Sequence, residues 1–528
     1  MNAKSRYDRL SSDRSQFLNV ARQAANLTLP YVIRGEEDYQ KGARTLITPW
    51  QSVGAKGVVT LASKLMLALL PPQTSFFKLQ VNDLKLPMDL GPEIKSELDL
   101  SMAKIERTIM ESIAESDDRV VVHQALKHLV IAGNALIFMG KDGLKLYPLN
   151  RYAIDRDGNG NVIEIVTKET ISKKLLKNFY PDYTEPKPNE VAQGSKDGTD
   201  ECDVYTHVRL DNNRWVWHQE VENKILPKSM GKAPVDSSPW LVLRFNHVDG
   251  EVYGRGRVEE FLGDLKSLEA LSQALVEGSA AAAKVVFTVS PSSSTKPSTL
   301  AKAGNGAIVQ GRPDDIGVVQ VGKTADFATA YQMAQGLEQR LSDAFLIMQV
   351  RQSERTTAEE VRTTQLELER QLGGLFSLLT VEFLVPYLNR KLSVAQKTGE
   401  IPSLPKGGVI KPMIVAGINA IGRGQDTESL GQFLQVISQT MGPEAIQQYI
   451  NPEEVIKRLA AAQGIDVLNL VKSMQEIQGE QQQAMEQQQQ MAMTEQAGQL
   501  AGVEQKREQM IYDNQSPEEA VPPQADLT

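Results

Sequence analysis

Eight residues near the middle of the chain, GVVQVGKT at 317–324, spell the phosphate-binding pattern G-x-x-x-x-G-K-[ST]. In a working loop of that kind, successive backbone N–H groups curl around a triphosphate. Lys323 would reach its terminal phosphates and Thr324 a magnesium ion. The chemistry needs a buried strand in front of the loop, and the chain offers QGRPDDI, where Pro313 and two aspartates suit neither a central strand nor a phosphate. Between the glycines stand Val318, Val319, Gln320 and Val321, and β-branched residues favour extended backbone over a tight curl. A second, acidic metal-binding strand is also required, and YAID at 152–155 is a weak match. The stretch therefore reads as a strand ending at Gly322, with Thr324 as N-cap of a helix that begins near Ala325.

The other residue types able to do chemistry form no constellation. The five histidines are His123, His128, His207, His218 and His247. His123 and His128 are five apart, which does not set them squarely on one helix face, and no H-E-x-x-H occurs. All five read as structural or surface residues, so no metal site is expected. Cys202 is the single cysteine, which excludes an internal disulfide, fits a reducing compartment and reads as structural. No Ser-His-Asp or Cys-His set is apparent. A 528-residue chain so poor in reactive motifs points to a structural or interaction role, without catalysis and without a cofactor.

Elements must then be found for what the chain does hold. With 41% hydrophobic residues it has material for two to four domains. No run of about 18 apolar residues occurs, so no membrane span is expected. The opening MNAKSRYDRLSSDRSQF is polar and mixed in charge, unlike a secretory signal. The net charge of -9 argues against a basic surface that grips nucleic acid.

Residues 5–30 predict a helix stopped at Pro30. The stretch 48–73 holds a strongly apolar helix closed by Pro71 and Pro72; it carries Lys64 and is too short to span a bilayer, so it belongs to a core. Residues 92–115 and 118–139 predict two more helices, the second passing into strand at AGNALIFMG. From about 144 to 250 a small β-rich domain is expected. Hairpins turn at Asp157-Gly158-Asn159-Gly160 and at Asn212-Asn213, WLVLRFNHV forms another strand, and 180–200 is the least ordered part.

Residues 257–283 carry apolar side chains at 258, 261, 262, 265, 268, 271, 275 and 276, the stripe of one helix about 40 Å long at about 1.5 Å per residue. Leu265 and Leu268 lie on that stripe, and Ala281 and Ala282 lie at its small-residue end, where another helix could approach closely. Short extended runs follow, and then a second long helix at 325–348 with Phe327, Leu337 and Leu341 on its apolar face. Two long helices with a small β module between their far ends make a stalk with a tip. One stripe per helix leaves little to bury alone, which predicts a ring or bundle of identical chains. The segment QVRQSERTT at 349–357 breaks the helices, and Thr357 with Glu360 forms a capping box for the next one. That helix is expected to kink at Gly373-Gly374 and at Pro386. VIKPMIVAGINAIGRGQD predicts a strand and turn, and 426–475 several helices. The Gln-rich stretch after 475 leaves helix and disorder both open, and the last dozen residues predict disorder.

Four stretches carry a resemblance: TPWQSVGAKGVVTLASKLMLALLPPQT (48–74), HVDGEVYGRGRVEEFLGDLKSLEALSQAL (247–275), ERTTAEEVRTTQLELERQLGGLFSLL (354–379) and INAIGRGQD (418–426). Together they resemble, in order, the head-to-tail connector or portal proteins of short-tailed phages of the Autographiviridae type. The resemblance implies an α+β, predominantly helical fold that assembles as a ring, typically of twelve subunits, at one capsid vertex. It divides the chain into a wing at 1–253, stem helices at 254–283 and 324–348, a β-containing clip at 284–323 and a tunnel loop at 349–357. A long kinked helix returning to the wing (358–425), a helical crown (426–515) and a disordered tail (516–528) follow. Double-stranded DNA would pass through the ring non-specifically, past Arg351, Gln352, Ser353 and Arg355 in the tunnel loop. Implied partners are terminase, tail adaptor proteins, the major capsid protein and scaffolding protein, with synthesis in the host cytoplasm and a place in the virion. The insertion around 170–200, the clip near 290–323 and the Gln-rich end depart from the family pattern. Two other readings stay open: a P-loop NTPase through 317–324, and another virion ring such as a tail adaptor, against which the order of the matches argues.

Overall fold

The computed structural model describes residues 2–34, 47–71, 75–81, 92–141, 143–180, 201–282, 286–293, 296–304, 308–312, 314, 316–319, 324–347, 374–402, 410–414 and scattered positions from 431 to 455. The chain divides into two compact units, Met1–Ile421 and Gly422–Thr528. In the second, helical turns are described at 433–440, and the expected crown otherwise lies outside the described residues.

The first unit opens with helix α1 (Ala3–Asn26), capped by the Asn2 side chain, which accepts from the Ser5 N–H at 2.9 Å. Its buried stripe runs Tyr7, Leu10, Arg14, Leu18, Ala21 and Ala25, the spacing of one helix face. Helix α2 (Val53–Leu69) buries Gly54, Gly57, Val58, Leu61, Leu65 and Leu69 and stops before the two prolines. Strand β1 (Phe77–Val81) leads to α3 (Pro92–Glu115), which buries Met102, Ile105, Ile109 and Ile113. Helix α4 (Asp118–Ala132) ends at Gly133, where φ is +71° and an added Cβ would lie 2.4 Å from the Arg255 carbonyl carbon. Only glycine fits that cap.

The expected passage into strand follows as β2 (Asn134–Met139) and β3 (Leu144–Tyr147). Both predicted hairpins form. Strands β4 (Tyr152–Arg156) and β5 (Val162–Ser172) pair across the Asp157 turn, where Asp157 Oδ1 accepts from the Asn159 and Asn161 N–H groups. Helix α5 (Lys173–Phe179) precedes β6 (Glu201–Asp211), which turns into β7 (Arg214–Val221) through Asn212 and Asn213, both at positive φ (46° and 60°). Strands β8 (Lys224–Ile225) and β9 (Gly231–Pro234) pair along the far edge of β7. The expected weak order at 180–200 falls almost wholly outside the described residues.

The expected WLVLRFNHV strand forms as β10 (Trp240–Arg244), which lies outside this sheet and pairs with β2, itself paired with β3, in a separate three-stranded sheet. Ile154, Ile165, Val208 and Trp215 of the larger sheet share one continuous core with the helices, so the β-rich segment buries its apolar side against them. The reason lies in β10 itself, which is buried at every position and so suits the interior rather than a half-exposed sheet.

The later elements are α6 (Arg257–Glu260), α7 (Leu262–Ala282), β11 (Val286–Val289), α8 (Pro297–Lys302), β12 (Ile316–Val319) and α9 (Thr324–Ala344). Residues 374–379 are helical, Thr380–Leu384 form a π-helical turn, and α10 (Val385–Thr398) follows. Strand β13 (Ile410–Ile414) returns to pair with β1, Phe77 opposite Ile414. The architecture is α+β and predominantly helical.

Candidate functional site

The two long helices form an antiparallel hairpin. Arg257 Nη2 donates to the Ala344 carbonyl at 3.2 Å, Arg340 and Asp264 stand 3.8 Å apart, and Gly278 lies beneath the Phe327 ring. An added Cβ on Gly278 would come within 2.4 Å of that ring, so a small residue sets how closely the helices meet there. The first helix is not continuous as expected. It breaks at Phe261, whose ring packs 6.0 Å from that of Phe345 while the Arg257 guanidinium lies 4.9 Å over it. Leu265, Leu268, Leu337 and Leu341 are buried, and Phe327 is half-buried. Ala281 is exposed, and the side chain of Ala282 lies outside the described set. Val276, Tyr331 and Met333 are more than half exposed. Within one chain, the hairpin buries its stripe at the base and leaves apolar side chains bare toward the tip.

At the tip, β11 and β12 pair antiparallel, with Thr288 opposite Gly317 and Phe287 opposite Val318. Gly317, Val318 and Val319 of the phosphate-loop lookalike are thus extended ladder residues, as their β-branched character predicts. A backbone committed to a ladder does not curl its N–H groups around a phosphate. Helix α9 starts at Thr324, one residue ahead of the expected start, while Lys323 lies outside the described residues.

The base of the hairpin is seated on α2. Gly57 receives the Phe345 ring, so close that a Cβ would lie 2.6 Å from Phe345 Cγ, and Gly54 faces Leu265. The Glu269 carboxylate accepts from the Trp50 and Gln51 N–H groups at 2.9 and 3.3 Å. Helix α9 then ends in a Schellman-type cap. The Ile347 N–H donates to the Ser342 carbonyl (2.7 Å), the Leu346 N–H to Asp343 (3.1 Å), and Leu346 takes φ +56°. A leucine in that conformation costs about 1–2 kcal/mol. Lys64 of α2 supports the cap by donating to the Leu346 carbonyl at 2.6 Å. Burial lowers the pKa of that ammonium. Lys64 and Arg257 thus place two cations on the last carbonyls of the helix, the favourable end for positive charge. The sequence marked Lys64 only as an obstacle to membrane insertion. Its role was not visible because its acceptor lies 282 positions away.

Immediately beyond this cap run the residues expected to line a channel. Arg351, Gln352, Ser353 and Arg355 lie outside the described residues. The chain is described again at 374, so Gly373 of the expected Gly373-Gly374 kink lies outside the described residues, and a π-helical turn that presents Glu382 runs up to Val385-Pro386. No group of histidine, cysteine, aspartate or glutamate among the described residues is arranged to hold a metal ion, and no described helix is long and apolar enough to cross a membrane.

Residues 1–470 match the family described as bacteriophage head to tail connecting protein. The chain belongs to that family. Similar proteins include the portal protein of Enterobacteria phage T3, 38% identical over 92% of this chain and 89% of the relative. The portal protein of Escherichia phage T7 is 37% identical over 94% and 93%. Among solved structures, the neck of an empty gene transfer agent particle aligns with 77% of this chain and 89% of its own at 10% identity and a TM-score of 0.35, too low to bear on assembly. The connector is a structural component of a phage particle and not an enzyme, which closes the P-loop reading of 317–324.

Proposed function

We propose that the connector forms a closed ring, of twelve subunits as the family resemblance implies, at one vertex of the capsid. Double-stranded DNA enters the head through its central channel and later leaves the same way. A separate terminase docks on the hairpin tip during packaging and is replaced there by tail adaptor proteins, while the wing meets the major capsid and scaffolding proteins. The observation that carries this reading is the family match over residues 1–470, with relatives on the same scale named portal proteins.

The geometry supports it in two ways. The exposed Val276, Tyr331 and Met333 give the hairpin apolar surface that neighbouring copies would cover. The cap at Leu346, fastened to α2, fixes where the chain enters 349–357. A conduit must also release what it carries. A net charge of -9 per chain, repeated around a ring, keeps the wall from binding phosphate tightly, and Arg351 with Arg355 adds a small positive collar. Such contacts steady DNA without reading its sequence. The double variant Arg351→Ala/Arg355→Ala should form rings normally and retain packaged DNA less well, most clearly at raised salt. Packaging and retention equal to the parent protein would remove the loop from the DNA path.

A further inference from the structure

A second feature lies away from the hairpin, where β4, β10 and the π-helical turn meet. Arg156 and Arg244 are both buried there, with 4% and 7% of their side-chain surface exposed, and both converge on Glu382. Arg244 donates to Glu382 through its backbone N–H at 2.8 Å, through Nε at 2.8 Å and through Nη2 at 2.5 Å. Arg156 Nη1 stands 4.0 Å from the same carboxylate and donates to the Gly160 carbonyl at 2.7 Å. Two guanidinium groups thus share one carboxylate. Arg14 and Asp13, which act on the neighbouring Tyr152 and Tyr253 hydroxyls, add one charge of each sign, and the exposed Asp157 carboxylate of the 157–161 turn also acts on Arg156, so three cations face three carboxylates.

The hydrogen bonds are not balanced. Arg156 Nε and Nη2, Arg244 Nη1 and the Tyr152 hydroxyl are buried without a partner among the described residues. A guanidinium has only donors to offer, and a buried charge without acceptors is among the costlier features a protein carries. Burial, reinforced by Arg244, lowers the Arg156 pKa to about 10, which leaves it charged at neutral pH. The roof is thin. The turn at 157–161 covers Arg244, and an added Cβ on Gly160 would lie 3.5 Å from His247 Nε2 and 3.6 Å from Arg244 Nη1. His247 is itself exposed, so the cluster lies one turn below solvent.

We propose that Arg156 and Arg244, with the Tyr152 hydroxyl, bind one inorganic oxyanion of the phosphate class per chain beneath the 157–161 turn. Planar guanidinium forks suit paired oxygens, and one anion supplies the missing acceptors. The site fastens the β4–β5 hairpin to β10 and to the helix that carries Glu382. It does not depend on ring formation or on DNA passage.

The test is equilibrium dialysis of full-length protein, stripped of phosphate and sulfate, against labelled inorganic phosphate at constant ionic strength. The expected result is saturation at one phosphate per chain, with sulfate competing. Arg156→Met should abolish the binding. Arg156→Lys, which keeps the charge and bulk but loses the fork, should weaken it about tenfold or more, and serves if the methionine variant does not fold. Uptake that never saturates, or equal binding by the parent and Arg156→Lys, would mean surface adsorption only. No uptake at millimolar phosphate would mean that ordered water fills the site. Either result overturns the proposal.

Discussion

Replacing Gly57 by alanine tests the seat of the stem hairpin. In the interior of a helix, glycine to alanine gains about 1 kcal/mol from backbone entropy. At Gly57 the new Cβ would lie 2.6, 2.8 and 2.9 Å from Phe345 Cγ, Cβ and Cδ2. Ordinary carbon contacts begin near 3.5 Å, so the ring must retreat by most of an ångström. Phe345 is fully buried and its N–H is bonded to Leu341, which leaves no open direction. Overpacking of this kind costs about 1–3 kcal/mol and outweighs the entropic gain. Gly336, in the interior of α9, is the control, because a Cβ there meets nothing within 4 Å. Urea midpoints at one protein concentration should rise for Gly336→Ala and fall for Gly57→Ala, the two separated by about 1–3 kcal/mol. In the Phe345→Leu background, Gly57→Ala should lose most of its cost. Equal stabilisation by both alanines would refute the seating of Phe345 on α2, and with it the fixed exit of the chain into 349–357.

Two further outcomes are expected. His128 is buried, its Nδ1 lacks a partner among the described residues, and burial lowers its pKa from 6.5 to about 4. The unfolded chain therefore binds a proton that the folded chain refuses, and the contribution of the neutral ring, complete above pH 6.5, is lost as pH falls toward 4. The loss amounts to about 3 kcal/mol, and His128→Leu should flatten the urea midpoint across that window, with an unchanged slope contradicting the assignment. Lys323→Ala should leave ring yield and DNA packaging unchanged, since 317–319 form a ladder strand; saturable ATP binding by the parent, absent from the variant, would contradict this.

The legible parts of the fold were those whose signal is local. The helix expected at 5–30, which runs from Ala3 to Asn26, the double-proline stop of α2 and the turns at Asp157 and Asn212 each rest on a few neighbouring residues. Pairings set by distant residues were not legible. Strand β1 has its partner at 410–414, and β10, buried at every position, leaves its neighbours in sequence for β2. The break at Phe261 is likewise set by a residue distant in sequence, since the contacts that hold it come partly from Phe345, past the end of α9 at the base of the hairpin. For the site, the apolar stripe named Leu265, Leu268, Leu337 and Leu341, all of which are buried within one chain. It gave no hint of Gly57, Lys64 or the shared Glu382, whose roles depend on what faces them. The small residues around Ala281 suit close helix approach, yet a single chain leaves Ala281 exposed, so any such contact requires another copy.

The central claim is that the connector works as a ring with an open centre. Electron microscopy of the purified full-length protein, with class averages viewed down the particle axis, tests it most directly. Closed rings of one size with a central opening wide enough for a DNA duplex are expected. Single chains, open filaments or closed particles with no central opening would contradict it.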